Sequence, residues 1–147
     1  HYAALYEERL VVIVPAGHDL AARRRLDVHE LRGQTWIDFA PGTDLAATIE
    51  ALDRQHHLRR EVIAQVSQLG VLIDLVRAGL GIAIVPDAMS AAAGTTALEL
   101  TGQPLRRTVM LAHRAEALSP AASLVAQRII SRASAWRTTG ADDTGGV

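Results

Sequence analysis

Residues 75–86 read LVRAGLGIAIVP, and this stretch decides the fold. It joins the end of an apolar helical segment to a short run of mostly β-branched residues through Gly79 and Gly81. Pro86 ends the run, which is the pattern of a short buried strand. A helix that passes at once into a strand is typical of an α/β protein.

The helical segment before this junction opens at Ser67 or Gln68 and runs to about Ala78. It is apolar nearly all round apart from Asp74 and Arg77. A helix without a polar face belongs in a protein interior. We therefore expect this helix to be well buried.

The same alternation extends in both directions along the chain. A short helix is predicted near residues 27–33, where Asp27 and Glu30 form a capping-box pattern. Further helices are predicted over residues 44–57, over 87–93, and from Ser119 and Pro120 onward. The predicted strands are residues 10–15, 36–39, 61–67, 82–85 and 107–113. This order predicts an α/β fold with a mostly parallel sheet flanked by helices. Ligands of such sheets bind beyond the carboxyl ends of the strands.

Composition excludes several classes of function. The apolar fraction is 49%, which is enough for a packed core, although only 3% of the residues are aromatic. The formal net charge of −1 argues against binding of duplex nucleic acid by these residues, since such binding needs a basic face. The absence of cysteine excludes disulfides and thiolate metal sites. No apolar run approaches the roughly 18 residues of a membrane helix.

Four segments together resemble the regulatory domain of LysR-type bacterial transcriptional regulators. They are VPAGHDLA at residues 14–21, WIDF at 36–39, the stretch 75–86, and residues 105–114 followed by SPAA at 119–122. Each segment alone is weak, but their order and spacing are specific, and the resemblance covers roughly residues 5–136. Asp19 stands where many members have proline.

The resemblance implies lobes like those of type II periplasmic binding proteins. It assigns residues 11–97 to regulatory subdomain II, and residues 1–10 and 98–136 to the crossover and the C-terminal part of subdomain I. Residues 137–147 are expected to form a disordered tail. The winged helix-turn-helix that binds DNA is expected to be absent from this chain.

The function that the resemblance implies is effector sensing without catalysis or a cofactor. A small anion or aromatic acid would bind in a cleft between the lobes and control DNA binding by the absent domain. The expected partners are this effector, promoter DNA through that domain, and a second copy of the chain docked through residues 44–57 and 61–67. The expected location is the cytoplasm, away from any membrane.

The effector-binding residues are expected where subdomain II presents the loop after its second strand and the start of the helix after its third. Both places offer hydroxyls, backbone N–H groups and a positive helix end, which favour a carboxylate. The alternative is that Thr43 and Ser67 only cap their helices. The candidate residues are Pro41, Gly42, Thr43, Val66, Ser67 and Gln68.

Other functions find weaker support in the sequence. Asp53 and His57 share a helix face at metal-ligand spacing, but a third ligand is missing and a solvated polar face explains them better. Gly79 and Gly81 lack the third glycine of a dinucleotide fingerprint, and tight packing of the helix against a strand explains them. His18 is expected in a turn and not in catalysis. An extracytoplasmic solute-binding protein and a small α/β enzyme stay open as rival interpretations.

Overall fold

The structure is a computed structural model that describes residues 2–102, 104–113 and 118–139, with side chains described as far as Ala133. The chain divides into two compact units. The larger unit is Arg9–Leu105, and the smaller unit combines the residues up to Glu8 with those from Arg106 onward. The assignment of these parts to regulatory subdomains stays a prediction.

Seven strands and three α-helices are described. Three single 3-10 turns connect them, at Asp19–Ala22, Val28–Leu31 and Asp87–Met89. In chain order the elements are β1 (Tyr2–Pro15), β2 (Arg25–Leu26), β3 (Thr35–Phe39), α1 (Asp44–His56), β4 (Glu61–Val66), α2 (Leu69–Arg77), β5 (Ala83–Pro86), β6 (Thr95–Leu100), β7 (Arg106–Ala112) and α3 (Pro120–Thr139).

The predicted α/β class is confirmed, and one strand opposes the others in the larger unit. β1 pairs antiparallel with both β5 and β6, while β2 pairs parallel with β6 and β3 with β4. A parallel bridge between Trp36 and Ile82 joins β3 to the start of β5. The described strands of this unit therefore run in one direction except for β1, and the carboxyl ends of β3, β4, β5 and β6 meet at one edge.

The core of the larger unit lies around β1, β3 and β5. Residues 10–14 of β1 are all at most 3% exposed, and Trp36 and Ile37 of β3 are fully buried. α1 packs against this core through Leu45, Ala46, Ile49 and Leu52, as its spacing predicts. A large apolar side chain stabilises the fold by about 1.5–3 kcal/mol when it is buried. The buried residues of β1, β3 and α1 therefore fix the position of the sheet and of the loops at its edges.

The prediction that the helix before Gly79 is well buried is wrong. Of the residues in α2, Leu72 and Val76 are buried, while Val71 is 43% exposed. Leu80, three residues after the end of the helix, is 44% exposed. α2 contacts β3, β4, β5 and β6, and its Leu69, Ile73 and Leu75 are half-buried against the core. An apolar sequence therefore overstated the burial of a helix that lies on the outside of the sheet.

Several element boundaries also differ from the sequence predictions. β1 begins at Tyr2, not near Leu10, and β6 was not predicted at all. The helices predicted at 27–33 and 87–93 are single 3-10 turns, although the capping box of Asp27 and Glu30 is present as expected. The C-terminal residues from 140 onward lie outside the described residues.

The smaller unit pairs β7 with the first part of β1 and includes α3. Glu8 and Arg107 form an ion pair across these two strands. In α3, Ala133 is buried and Ala122 and Ile129 are half-buried, whereas Val125 is 57% exposed. No helix in the described part of the chain is long and apolar enough to cross a membrane.

Candidate effector-binding site

The two predicted binding segments lie side by side at one edge of the sheet. β3 and β4 are parallel neighbours, and Phe39 stands opposite Val66 at their carboxyl ends. The Ala40 N–H donates a hydrogen bond of 2.8 Å to the Val66 carbonyl. The loop at residues 41–43 and the segment at 66–68 therefore start from adjacent points.

The first segment is a tight loop that ends in a helix cap. Gly42 adopts a positive φ of 87°, which favours glycine at this position. The Thr43 hydroxyl accepts a hydrogen bond from the Ala46 N–H at 3.2 Å and donates one to the Ala40 carbonyl at 3.1 Å. Thr43 thus caps α1, and its hydroxyl proton is engaged within the fold.

The second segment is a helix start without a side-chain cap. Gln68 is the N-cap residue of α2, and its side chain makes no capping hydrogen bond. Ser67 is exposed, and its hydroxyl has no hydrogen bond to any described residue. The first N–H to bond within the helix is that of Leu72, which donates to the Gln68 carbonyl. Thr43 therefore caps α1, whereas Ser67 makes no capping hydrogen bond to α2.

The surroundings of this helix start are open. A Cβ added at Gly70 would meet no atom within 4 Å. The N–H groups of residues 69–71 precede the first hydrogen bond of the helix, so they carry its positive end. Val66 is half-buried and Pro41 is exposed beside it. The six predicted residues thus offer two hydroxyl groups and two apolar side chains, and the helix start that follows them adds the N–H groups of residues 69–71.

A buried ionic cluster that was not predicted from the sequence holds α1, β3 and β4 together near the two binding segments. Arg60, whose side chain is 5% exposed, binds both carboxylate oxygens of Asp38 at 2.6 and 2.8 Å. It also donates to Asp53 of α1 at 3.1 Å and lies 5.1 Å from the centre of the Trp36 ring. The cluster connects α1, β3 and the entry to β4, so it fixes the strands that carry both binding segments.

One feature of the sequence could have indicated this cluster. Asp38 is a charged residue inside an apolar strand, and a buried charge needs a partner. The partner follows His57 and Arg59, two non-glycine residues with positive φ values of 51° and 52°. Asp53 therefore binds an arginine and does not belong to the solvated polar face that was expected of it.

Other predicted features are also placed by the structure. The His18 imidazole accepts a hydrogen bond from the Leu20 N–H at 3.1 Å, so it caps a 3-10 turn as expected of a turn residue. A Cβ at Gly81 would lie 2.7 Å from the Thr35 carbonyl oxygen. This glycine permits close packing as predicted, but against the backbone of β3 and not against the helix. Among the described residues, no three His, Asp or Glu side chains form a metal-binding group.

Comparison with known proteins places this arrangement in a family. The model of the LysR substrate binding domain matches residues 1–134. The chain therefore belongs to the LysR substrate-binding domain family, as its four sequence segments predicted. A curated relative is the uncharacterized HTH-type transcriptional regulator YybE of Bacillus subtilis (strain 168), which is 28% identical over 129 residues.

Solved structures agree on the fold. The regulatory domain of Synechocystis PCC6803 CcmR in complex with 2-PG superimposes with a TM-score of 0.82 at 18% identity over 90% of this chain. The effector binding domain of QuiR in complex with shikimate gives 0.82 at 19% identity over 92% of it. The chain spans 44% of YybE and 66% of each of these two domains.

Proposed function

We propose that this chain is the effector-sensing part of a transcriptional regulator, and that it binds a small organic anion at the carboxyl ends of β3 and β4. The observation that carries the proposal is the hydrogen bond between Ala40 and Val66. It joins the two predicted binding segments at one edge. The complexes of CcmR with 2-PG and of QuiR with shikimate support the class of ligand, because shikimate is a small organic acid.

Each residue has a distinct part in the proposed site. The Ser67 hydroxyl donates to a carboxylate oxygen, since it has no other described partner. The N–H groups of Gln68 and Gly70 add the positive end of α2. The Gly42 N–H donates from the other loop, and the remaining lone pair of the Thr43 hydroxyl accepts a hydrogen bond from a hydroxyl group of the ligand. Pro41 and Val66 pack against the hydrocarbon part of the ligand.

The ligand acts by shifting a conformational equilibrium and not by undergoing a reaction. A bound effector favours whichever arrangement of the regulator binds it more tightly. Promoter DNA is bound by a separate domain of the regulator, which acts in the cytoplasm. The relatives and solved neighbours named above include regulators, which favours this interpretation over a solute-binding protein or an enzyme.

Self-association through α1 and β4 forms part of the proposal. β4 is an edge strand in the described structure, and Val62 and Ile63 are 38% and 47% exposed on it. An edge strand with exposed apolar side chains is suited to pairing with another chain. The outer side of α1 is mixed, with Ala47 and Ala51 beside charged residues, which is compatible with an interface.

The test is a thermal-shift screen of the full chain against small organic acids, with 2-PG and shikimate included. A ligand at about 100 times its Kd stabilises the protein by about 2.7 kcal/mol, a readily measured increase in Tm. Ser67→Ala should keep the Tm of the free protein and lose the response to the ligand. Thr43→Ser keeps the helix cap and serves as the matched control, which should respond like the wild type.

The outcomes separate the two halves of the proposal. A response that Ser67→Ala removes and Thr43→Ser retains supports the site. A response that survives in Ser67→Ala places the ligand elsewhere and contradicts the site. Absence of any response across a broad panel of acids contradicts effector sensing by this chain.

A further inference from the structure

We infer that the larger unit holds a second small-molecule site, separate from the edge of β3 and β4, that takes a monocarboxylate with an apolar body. The site is a cavity of about 430 Å³, which we call the Arg24 pocket. This volume lies within the range of small-molecule sites. Its lining residues are Val11, Arg24, Arg25, Asp87, Ala97 and Glu99.

The pocket has an apolar floor and a charged rim. Ala97 and Glu99 are alternate residues of β6 and therefore face the same side of the sheet. Val11 of β1 is 3% exposed and lies at the base of the cavity. Arg25 of β2 stands opposite Glu99 in the parallel pairing of these strands. Hydrocarbon can thus rest on the floor while a charged group stays at the rim.

Arg9 bridges the two acids of the rim. Its guanidinium lies 2.6 Å from the Asp87 carboxylate and 3.0 Å from that of Glu99. Arg25 is only 3.5 Å from Glu99 and its side chain is 72% exposed, so this contact is weak. Arg25 is therefore held loosely and is able to turn toward a ligand.

Arg24 is the group that points to an anion. It lines the cavity, and its guanidinium has no hydrogen bond or ion pair to any described residue. Three guanidinium groups, of Arg9, Arg24 and Arg25, face two carboxylates, of Asp87 and Glu99, which leaves a single positive charge. One carboxylate balances this charge, whereas a second negative group would face the acids of the rim and be disfavoured.

The pocket is distinct from the proposed effector site. β6 lies three strands from β3 in the sheet, through β1 and β5. At about 4.8 Å per strand, the β6 side of the pocket lies about 14 Å from β3, whereas Asp87 follows β5, one strand away; the pocket shares no residue with the proposed effector site. The two sites can therefore be tested independently.

The experiment is an NMR titration of the full chain with benzoate, an aromatic monocarboxylate, followed through the methyl signals of Val11 and Ala97. Benzoate at about 10 mM would fill about 90% of a site with a Kd of about 1 mM. We expect both methyl signals to shift in the wild type. Succinate, a dicarboxylate of similar size, should shift them much less.

Variants assign the shifts to the pocket. Arg24→Glu should weaken benzoate binding by about tenfold or more, since it removes a charge-assisted hydrogen bond. Arg54→Glu makes the same change of net charge at an exposed residue of α1 and should bind like the wild type. Ala97→Leu fills the floor without changing the charge and should also block binding, followed through Val11.

Three results would overturn the inference. The first is that the methyl signals do not move with benzoate, and the second is that they move equally in Arg24→Glu or with succinate. The third is that Ser67→Ala abolishes the Val11 shift, because the pocket would then not be an independent site. A failure of benzoate in the Arg24 pocket leaves the response at Ser67 untouched, so the two proposals are judged separately.

Discussion

Replacement of Arg60 by methionine tests the role of the buried ionic cluster. The side chains of Arg60 and Asp38 are 5% and 8% exposed, so the variant leaves the Asp38 carboxylate buried without a partner. Loss of one member of a buried pair costs about 3–5 kcal/mol. The contact with the Trp36 ring adds to this loss, since a desolvated cation–π contact contributes about 2 kcal/mol.

We expect Arg60→Met to lower the free energy of unfolding by about 4 kcal/mol, measured by urea denaturation. With a urea m-value of about 2 kcal/mol/M, the midpoint would fall by about 2 M. The control is Asp74→Ala, which breaks the exposed pair between Asp74 and Arg77. Since exposed pairs contribute little, we expect it to change the free energy by less than about 0.5 kcal/mol.

The double variant Arg60→Met with Asp38→Leu makes the test specific. It removes both charges of the buried pair and should recover much of the lost stability, because apolar replacements of a buried pair are often neutral. Two results would refute the assigned role of the cluster. One is a loss below about 1 kcal/mol in Arg60→Met, and the other is a double variant whose loss equals the sum of the single losses.

Three further predictions concern the packing and the surfaces. Gly81→Ala should lower the free energy of unfolding by about 1–3 kcal/mol, because its Cβ would lie 2.7 Å from the Thr35 carbonyl oxygen. The control Gly70→Ala has open space at its Cβ and should not destabilise the protein. Equal losses in the two variants would contradict the close packing at Gly81. Thr43→Ala should cost about 1 kcal/mol in urea denaturation through loss of the α1 cap, whereas Thr43→Ser should cost much less. Ile63→Lys should shift the chain toward the monomer in sedimentation velocity at equal concentration, while Val71→Lys should not; equal behaviour of these two variants would exclude the β4 edge as the interface.

Sequence patterns predicted the elements whose local signals agree with their packing. The spacing of Leu45, Ile49 and Leu52 predicted the buried face of α1, and the junction at 75–86 predicted both α2 and β5. β6 was missed because its sequence, TTALEL, carries alanine and glutamate that are uncommon in strands. Its place is determined by pairing with β1 and β2, which is tertiary information.

The location of the candidate site could be predicted from the sequence, but the hydrogen bonding of its residues could not. The family resemblance assigned residues 41–43 and 66–68 to the site, and these two segments lie side by side in the structure. Sequence alone could not show that Thr43 is engaged as a cap while the Ser67 hydroxyl has no partner among the described residues, since both are hydroxyl residues near a helix start. Nor could it show that Arg60, reached through two residues with positive φ, returns to Asp38.

The central claim is that a small acid binds where β3 and β4 end, and an NMR titration of backbone amides tests it most directly. The full chain would be titrated with the acid that gives the largest thermal shift. We predict that the amide signals of Gly42, Ser67, Gln68 and Gly70 move together and saturate with one Kd, and that they stay fixed in Ser67→Ala. Binding that leaves these four amides unchanged while it moves signals elsewhere would contradict the claim.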